Sequence, residues 1–240
     1  MLPTLMMNEL HVLQKCSHPN IMNVSELLED DEYFYIVSEL LVGGELFDRI
    51  LQEKSFTEAK AAYILKQVLL ALNYMHAQKI THRDLKPENI LLESKNTSNL
   101  EVKIADFGFS CIFDPEQGLD LVLGSPLYMA PEIIKGQKYN EKVDIWSTGV
   151  ITYMLLCGRN PFPGRNKEEV KRMICNQEVD LNKPYFINVS SDAKDFIRCA
   201  LNKDIDKRYS AKQLLDHDWM KKLSSKIDKT TDDMQKLEVF

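Results

Sequence analysis

A chain of 240 residues, 44% apolar and 28% charged, can bury a good core in one or two domains, which excludes disorder as the starting point. Its net charge of −6 argues against a nucleic-acid or anionic-membrane partner and agrees better with cationic ones. Five cysteines, odd in number and without a C-x-x-C pair, suggest reduced thiols in the cytoplasm, and the longest apolar run, Gly149 to Cys157, is too short for membrane insertion.

In chain order, no signal-peptide pattern opens the sequence. Pro3 through Lys15 carries Leu5, Met6, Leu10, Val12 and Leu13 at a helical period, and Ser17-His-Pro-Asn20 ends that helix. Two strand candidates follow, Ile21–Leu28 and Tyr33–Leu40, joined by the acidic turn Glu29-Asp-Asp-Glu32. After Val42-Gly-Gly-Glu-Leu-Phe47, Glu45 could cap a helix starting near Leu46, because carboxylates favour helix N-termini. Thr57-Glu-Ala-Lys60 starts a long helix through His76, with a broad apolar face from Ala61 to Met75.

Ile80-Thr-His-Arg-Asp-Leu-Lys-Pro-Glu-Asn-Ile-Leu-Leu92 then places Asp84, Lys86 and Asn89 within six positions, flanked by apolar strand-like residues. Unpaired charges in a core cost several kcal/mol, so a loop between two short strands should point all three at one solvent-filled spot. That spot suits phosphoryl transfer, which needs a carboxylate for the hydroxyl proton, a cation near the transferred phosphate and an amide oxygen to hold a metal. A polar turn between helices would fit any one of the three and fits the whole run poorly. Glu101-Val-Lys-Ile-Ala105 reads as a strand with Asp106-Phe-Gly108 at its end, and Ala130-Pro-Glu132 follows. Asp144-Ile-Trp-Ser-Thr-Gly149 opens a hydrophobic helix, Asn160-Pro-Phe-Pro-Gly164 is a loop, and the last core helices end at His217-Asp-Trp219.

His82-Arg-Asp-Leu-Lys-Pro-Glu-Asn89, Asp-Phe-Gly at 106–108 and Ala-Pro-Glu at 130–132 together resemble the signatures of eukaryotic serine/threonine protein kinases, over nearly the whole chain to about Trp219. Gly-Gly-Glu-Leu-Phe-Asp-Arg-Ile50 and Pro-Glu-Asn-Ile-Leu-Leu92 are similar to the calcium- and calmodulin-dependent group. The resemblance implies an α+β fold: a partial N-lobe and hinge (1–41), a mainly helical C-lobe (42–220) and a C-terminal extension (221–240). It implies ATP and Mg²⁺ as cofactors, Asp84 as the acceptor of the hydroxyl proton, Lys86 at the transferred phosphate, and Asn89 with Asp106 as metal ligands. Glu9 matches a helix glutamate that pairs with a phosphate-binding lysine. Ser38-Glu39-Leu40-Leu41 becomes the hinge whose backbone holds the edge of adenine, with Ser38 a small gatekeeper before an enlarged rear pocket and Leu91 beneath the ring.

For the protein substrate, the resemblance assigns Glu45, with help from Glu88, to an arginine three positions before the acceptor, and Lys86 favours Ser/Thr over Tyr. Met154 stands where some basophilic relatives carry a further glutamate, so an arginine two positions before the acceptor is not expected. Ser125 should hydrogen-bond Asp84 and Lys86, while Leu123, Pro126 and Met129 form an apolar pocket for the residue after the acceptor. Arg83 implies a phosphate-sensing pocket, yet the usual phosphosite is Leu121, and Ser110 and Ser125 are the only hydroxyl residues between Phe109 and Tyr128. Asp120 or Glu116 is therefore expected to stand in for a phosphate on Arg83. Glu132 should pair with Arg208, Asp144 should hold the backbone at His82 and Arg83, and His82 should pack under Phe107, in a stack with Leu13 and Val24.

The sequence departs from the pattern in having no G-x-G-x-x-G and no V-A-I-K, with only eight residues before Glu9. A truncated chain and a natural short form without activity compete as explanations. The unpaired, largely apolar edge that Tyr33–Leu40 would present favours truncation. No EF-hand ligand pattern occurs, so control by a calcium sensor rests on analogy alone. Two functions follow: a Mg-ATP-dependent serine/threonine kinase preferring Arg-x-x-Ser/Thr, and a docking protein on a kinase-like fold.

Overall fold

The computed structural model describes Glu9 and residues 12–223, so the predicted first helix is seen only at Glu9 and residues 12–15, which are helical. Its strands form three two-stranded antiparallel sheets, and the rest is mainly helical. β1 (Val24–Glu29) pairs with β2 (Phe34–Ser38), with Leu27 opposite Ile36 and a bulge between Val24 and Glu26. Ile21 lies outside the first strand and forms a parallel bridge to Ile104, tying this N-terminal sheet to the rest of the chain.

The helices follow their end signals. α1 (Leu46–Glu53) begins after Glu45, whose backbone is extended but whose carboxylate makes no capping bond, so the expected cap is absent. α2 (Glu58–Ala77) matches its prediction within a residue at each end; the Thr57 side chain accepts the Lys60 N–H at 3.4 Å and caps it. α3 (Pro131–Ile134) is a single turn with proline at its start. α4 (Lys142–Cys157) buries every residue from Val143 to Leu156, as an all-round hydrophobic helix must. α5 (Lys167–Asn176), α6 (Ser191–Ala200) and α7 (Ala211–Leu215) are capped by Asn166, Ser190 and Ser210.

α4 is the axis of the core. At Gly149 an added Cβ would sit 2.8 Å from the Leu201 side chain and 2.9 Å from Ala200 Cβ, so glycine there permits the close approach of α6. Trp146 stacks on Phe162 with rings 5.9 Å apart, and the buried Arg208 lies over its indole at 5.1 Å. The expected Glu132–Arg208 pair is present and bidentate, at 2.6 and 2.9 Å.

The remaining strands are short and serve as frames. β3 (Ile80–Thr81) enters the loop carrying Asp84 and β4 (Ile90–Leu92) leaves it, while β5 (Val102–Ile104) and β6 (Cys111–Ile112) bracket Asp106-Phe107-Gly108. β3 pairs with β6 and β4 with β5, so each loop's two ends are tied to those of the other, and the loops lie side by side. Residues 218–223 form one helix, so the predicted boundary at 221 falls inside an element and Leu223 packs on the core; the rest of the predicted extension lies outside the described residues.

Candidate active site

Asp144, fully buried at the start of α4, holds the loop between β3 and β4. One carboxylate oxygen takes the His82 N–H at 3.0 Å, the Thr81 hydroxyl at 3.1 Å and His76 Nε2 at 2.9 Å; the other takes the Arg83 N–H at 2.9 Å. Burial alone pushes the Asp144 pKa up, but the hydrogen bond and charge of His76, with the His82 contributions, outweigh it and hold the group below the usual carboxylate range. These bonds offset the strain of Arg83, whose φ of +67° is left-handed. His82 Nε2 donates to the Ala105 carbonyl at 3.1 Å, and its ring lies 5.2 Å from Phe107, as expected. Leu13 and Val24 join the same hydrophobic cluster.

The loop so held presents the expected trio. Lys86 Nζ donates to one Asp84 oxygen at 2.7 Å and to Ser125 Oγ at 3.3 Å, while the other Asp84 oxygen accepts the Ser125 N–H at 2.7 Å. Burial works to lower the Lys86 pKa, and the Asp84, Glu88 and Asp106 carboxylates outweigh it, so the ammonium is held above its ordinary value. Gly124 allows this seating of Ser125: at φ +109°, an added Cβ would lie 2.7 Å from the Arg83 carbonyl.

Asn89 is buried and its Nδ2 donates to the Asp84 carbonyl at 2.9 Å, which leaves Oδ1 as the amide atom free for a cation. Asp106, on the adjoining loop at φ +60°, is exposed and among the described residues accepts only a long 3.3 Å bond from Gly108 N–H. The Ala105 N–H donates to the Asn89 carbonyl at 2.9 Å, which ties the two loops together, and an amide oxygen and a carboxylate are the donor types that fit a hard divalent cation. Glu9 lies beside Gly108, and its pKa is raised by burial and then by the Asp106 carboxylate.

At the hinge, Ser38 ends β2 and its hydroxyl donates to the Glu39 carbonyl at 3.3 Å. The Glu39 carboxylate takes two bonds from Lys103 Nζ, at 2.9 and 2.7 Å, and the Asn23 N–H at 2.6 Å. Leu41 and Leu91 are half-buried, and Leu91 bridges to Glu45 through the backbone. Glu88 is half-buried with one carboxylate oxygen fully enclosed and unpartnered among the described residues. Burial first, then Glu88 and Asp84, push the neighbouring Tyr128 phenol far up.

Two expected groupings do not form. Glu116 and Asp120 are exposed, and neither pairs with Arg83, whose Nε instead donates to the Phe109 carbonyl at 2.5 Å. The reason is local. Asp114 closes its own turn on the Glu116 N–H and the Gln117 side-chain amide, and Tyr139 holds the backbone on either side of Asp120 through Leu119 and the Leu121 carbonyl, leaving Asp120 exposed. Of Leu123, Pro126 and Met129, only Met129 lines the cavity beside Asp84 and Ser125; the other two are half-buried outside it.

The sequence reading missed His76, Lys103 and Tyr139. Each is a lone polar residue whose partner lies far along the chain, so no local spacing marks it. A separate group, Asp195, Cys199 and His217, also comes together. There His217 Nδ1 accepts the Trp219 N–H at 3.2 Å, so Nε2 carries the proton toward Asp195 and the group reads as hydrogen-bonded.

Residues 2–220 match the family described as "Protein kinase domain". Myosin light chain kinase A of Dictyostelium discoideum is 44% identical over 217 residues, covering 90% of this chain and 73% of that protein. Calcium/calmodulin-dependent protein kinase type 1 of Macrobrachium nipponense is 44% identical over 213 residues, 89% of this chain and 61% of the relative. Calcium-dependent protein kinase 4 of Plasmodium falciparum is 42% identical over 234 residues, 98% of this chain and 44% of the relative. The chain thus spans less than two thirds of the second and third of these.

Proposed function

The chain belongs to the protein kinase family, in its calcium/calmodulin-dependent-like group, and from that premise we propose that it transfers the γ-phosphate of ATP to Ser and Thr hydroxyls of proteins. The observation that carries this is the convergence of Asp84, Lys86, Asn89 and Asp106 from two loops that the crossed pairing of β3–β6 and β4–β5 holds together. Asp84, oriented by Lys86 and the Ser125 N–H, accepts the proton of the attacking hydroxyl. Lys86 keeps its charge and faces the phosphoryl oxygens. Asn89 Oδ1 and Asp106 would hold Mg²⁺, which would supply positive charge to the phosphates.

Adenine is held by the hinge, where Leu41 offers a backbone N–H and C=O that take no partner among the described residues, with Leu91 beneath and Ser38 behind. The enclosed, unpartnered oxygen of Glu88 supports recognition of a substrate arginine, with Glu45 as the second carboxylate. Five unpaired cysteines agree with a cytoplasmic site of action, and among the described residues no helix is long and apolar enough to cross a membrane. The relatives' names support calcium-linked control.

A second reading, docking without transfer, is favoured by one observation: Glu9 meets Asp106 with no cation paired to it among the described residues. Calorimetric titration with Mg-ATP separates the two. The kinase reading expects one site, weakened in Asp106→Ala, and phosphate transfer to an Arg-x-x-Ser peptide that falls roughly 10²- to 10⁴-fold in Asp84→Asn. Replacing the peptide arginine by alanine should lower kcat/KM about tenfold; no change would remove the preference. Absence of both binding and transfer would leave docking.

A further inference from the structure

Residues 40–42 of the hinge make no backbone hydrogen bond among the described residues, so their course is set by what holds the two ends. Downstream, the Gly43 N–H donates to the Leu92 carbonyl and the Leu92 N–H to the Gly44 carbonyl, each at 2.9 Å, which fixes that end on β4. Upstream, the Glu39 N–H donates to the Asn23 carbonyl at 3.0 Å. This leaves Glu39 one segment removed from β5, whose free edge is taken by the Asn20 carbonyl and the Met22 N–H at Ile104. The direct tie is a side chain. Lys103, in the middle of β5, donates to both Glu39 carboxylate oxygens, at 2.9 and 2.7 Å, and its ammonium lies 3.5 Å from Glu93.

Lys103 also stands directly across the β4–β5 ladder from Leu91, and residues opposed in an antiparallel pair point to the same face. These two are half-buried, while Ile90, Leu92, Val102 and Ile104 are buried on the other face. A solvated surface lysine is the ordinary expectation for a charged strand residue, but this side chain is only 14% exposed and is engaged twice by one carboxylate. Burial pushes the Glu39 pKa up, and the bonds from Lys103 and the Asn23 N–H outweigh it, so the group is held below the usual carboxylate range.

We propose that Lys103 is a positioning residue for the nucleotide: by gripping Glu39 it sets the hinge at a fixed distance from Leu91, so that the Leu41 backbone is placed to receive the edge of adenine. The role rests on the kinase reading; the grip on Glu39 does not. Without the ammonium, the Glu39 and Glu93 carboxylates lose their shared cation and repel, which moves the upstream end of the hinge.

Lys103→Met keeps the length of the side chain and removes the charge. In the full chain it should raise the Kd for Mg-ATP about fivefold, the size of one ion pair, with kcat for an Arg-x-x-Ser peptide at saturating ATP staying within about twofold. Lys103→Arg should restore the wild-type Kd. Amide hydrogen exchange without nucleotide should quicken about fivefold at Glu39 in Lys103→Met and stay unchanged within α4. An unchanged Kd, unchanged exchange at Glu39, a fall in kcat with Kd constant, or failure of Lys103→Arg to restore binding would each overturn the proposal. A wild type that binds Mg-ATP no better than Lys103→Met sinks the proposal and leaves the kinase reading standing. A wild type that neither binds nor transfers brings down the kinase reading and the role in affinity with it, and exchange at Glu39 still judges the grip on the hinge.

Discussion

The loop between β3 and β4 and the hairpin formed by β1 and β2 are both short, antiparallel-framed segments, and they are stabilised in opposite ways. In the loop, His82, Arg83, Asp84 and Asn89 are buried, and a hydrogen bond from a distant element or from the loop itself satisfies each. In the hairpin, Leu28, Tyr33, Tyr35, Ile36 and Val37 are exposed, and ladder bonds do most of the work. The site is therefore fixed by α4 through Asp144, while the hairpin borrows its order from Ile21, Asn23 and the Lys103–Glu39 pair. Burial with satisfied polar groups gives geometry that resists thermal opening; a two-stranded ladder alone does not.

The largest expected effect breaks the buried side. Arg208→Ala leaves Glu132 enclosed without its partner and should cost about 3–5 kcal/mol, read from the shift of the urea midpoint. Next is Asp144→Asn, which keeps the shape but loses charge-assisted bonds to the loop backbone and should cost about 1.5–3 kcal/mol at neutral pH. Its pH dependence sharpens the point. A carboxylate held below its unfolded value of 3.8 contributes stability above that pH and loses it as the pH falls through the lower folded value. The wild type should therefore weaken at the acid end, and the asparagine variant should show a flatter acid limb over the same range. The smallest effect lies in the hairpin: Ile36→Thr, at an exposed strand position, should change stability by about 0.5 kcal/mol or less while reducing self-association seen by light scattering. A loss of several kcal/mol there would mean that the hairpin carries load like the loop.

Much of this was legible in the chain. The period of residues 57–76 and the Thr57 cap placed α2 within a residue at either end, because helix signals are local. The trio at 84, 86 and 89 was legible because charges so close together between apolar strands have few places to go. The expected phosphate stand-in was not: charge composition near Arg83 suggested Glu116 or Asp120, and both are exposed while the Arg83 Nε donates to the Phe109 carbonyl. The Glu45 cap failed similarly, since its backbone is committed to a bridge with Leu91 and its carboxylate makes no capping bond.

The sequence by itself determined most of the elements, the family and the residues proposed to react, since these follow from periodicity and from residue types a few positions apart. The tertiary structure alone decided which groups restrain them: Asp144 against residues 76–83, Lys103 against Glu39, and Tyr139 against Leu121. The reason is distance along the chain. A hydrogen bond between residues tens of positions apart leaves no periodic trace, and its geometry exists only once the core has closed around α4.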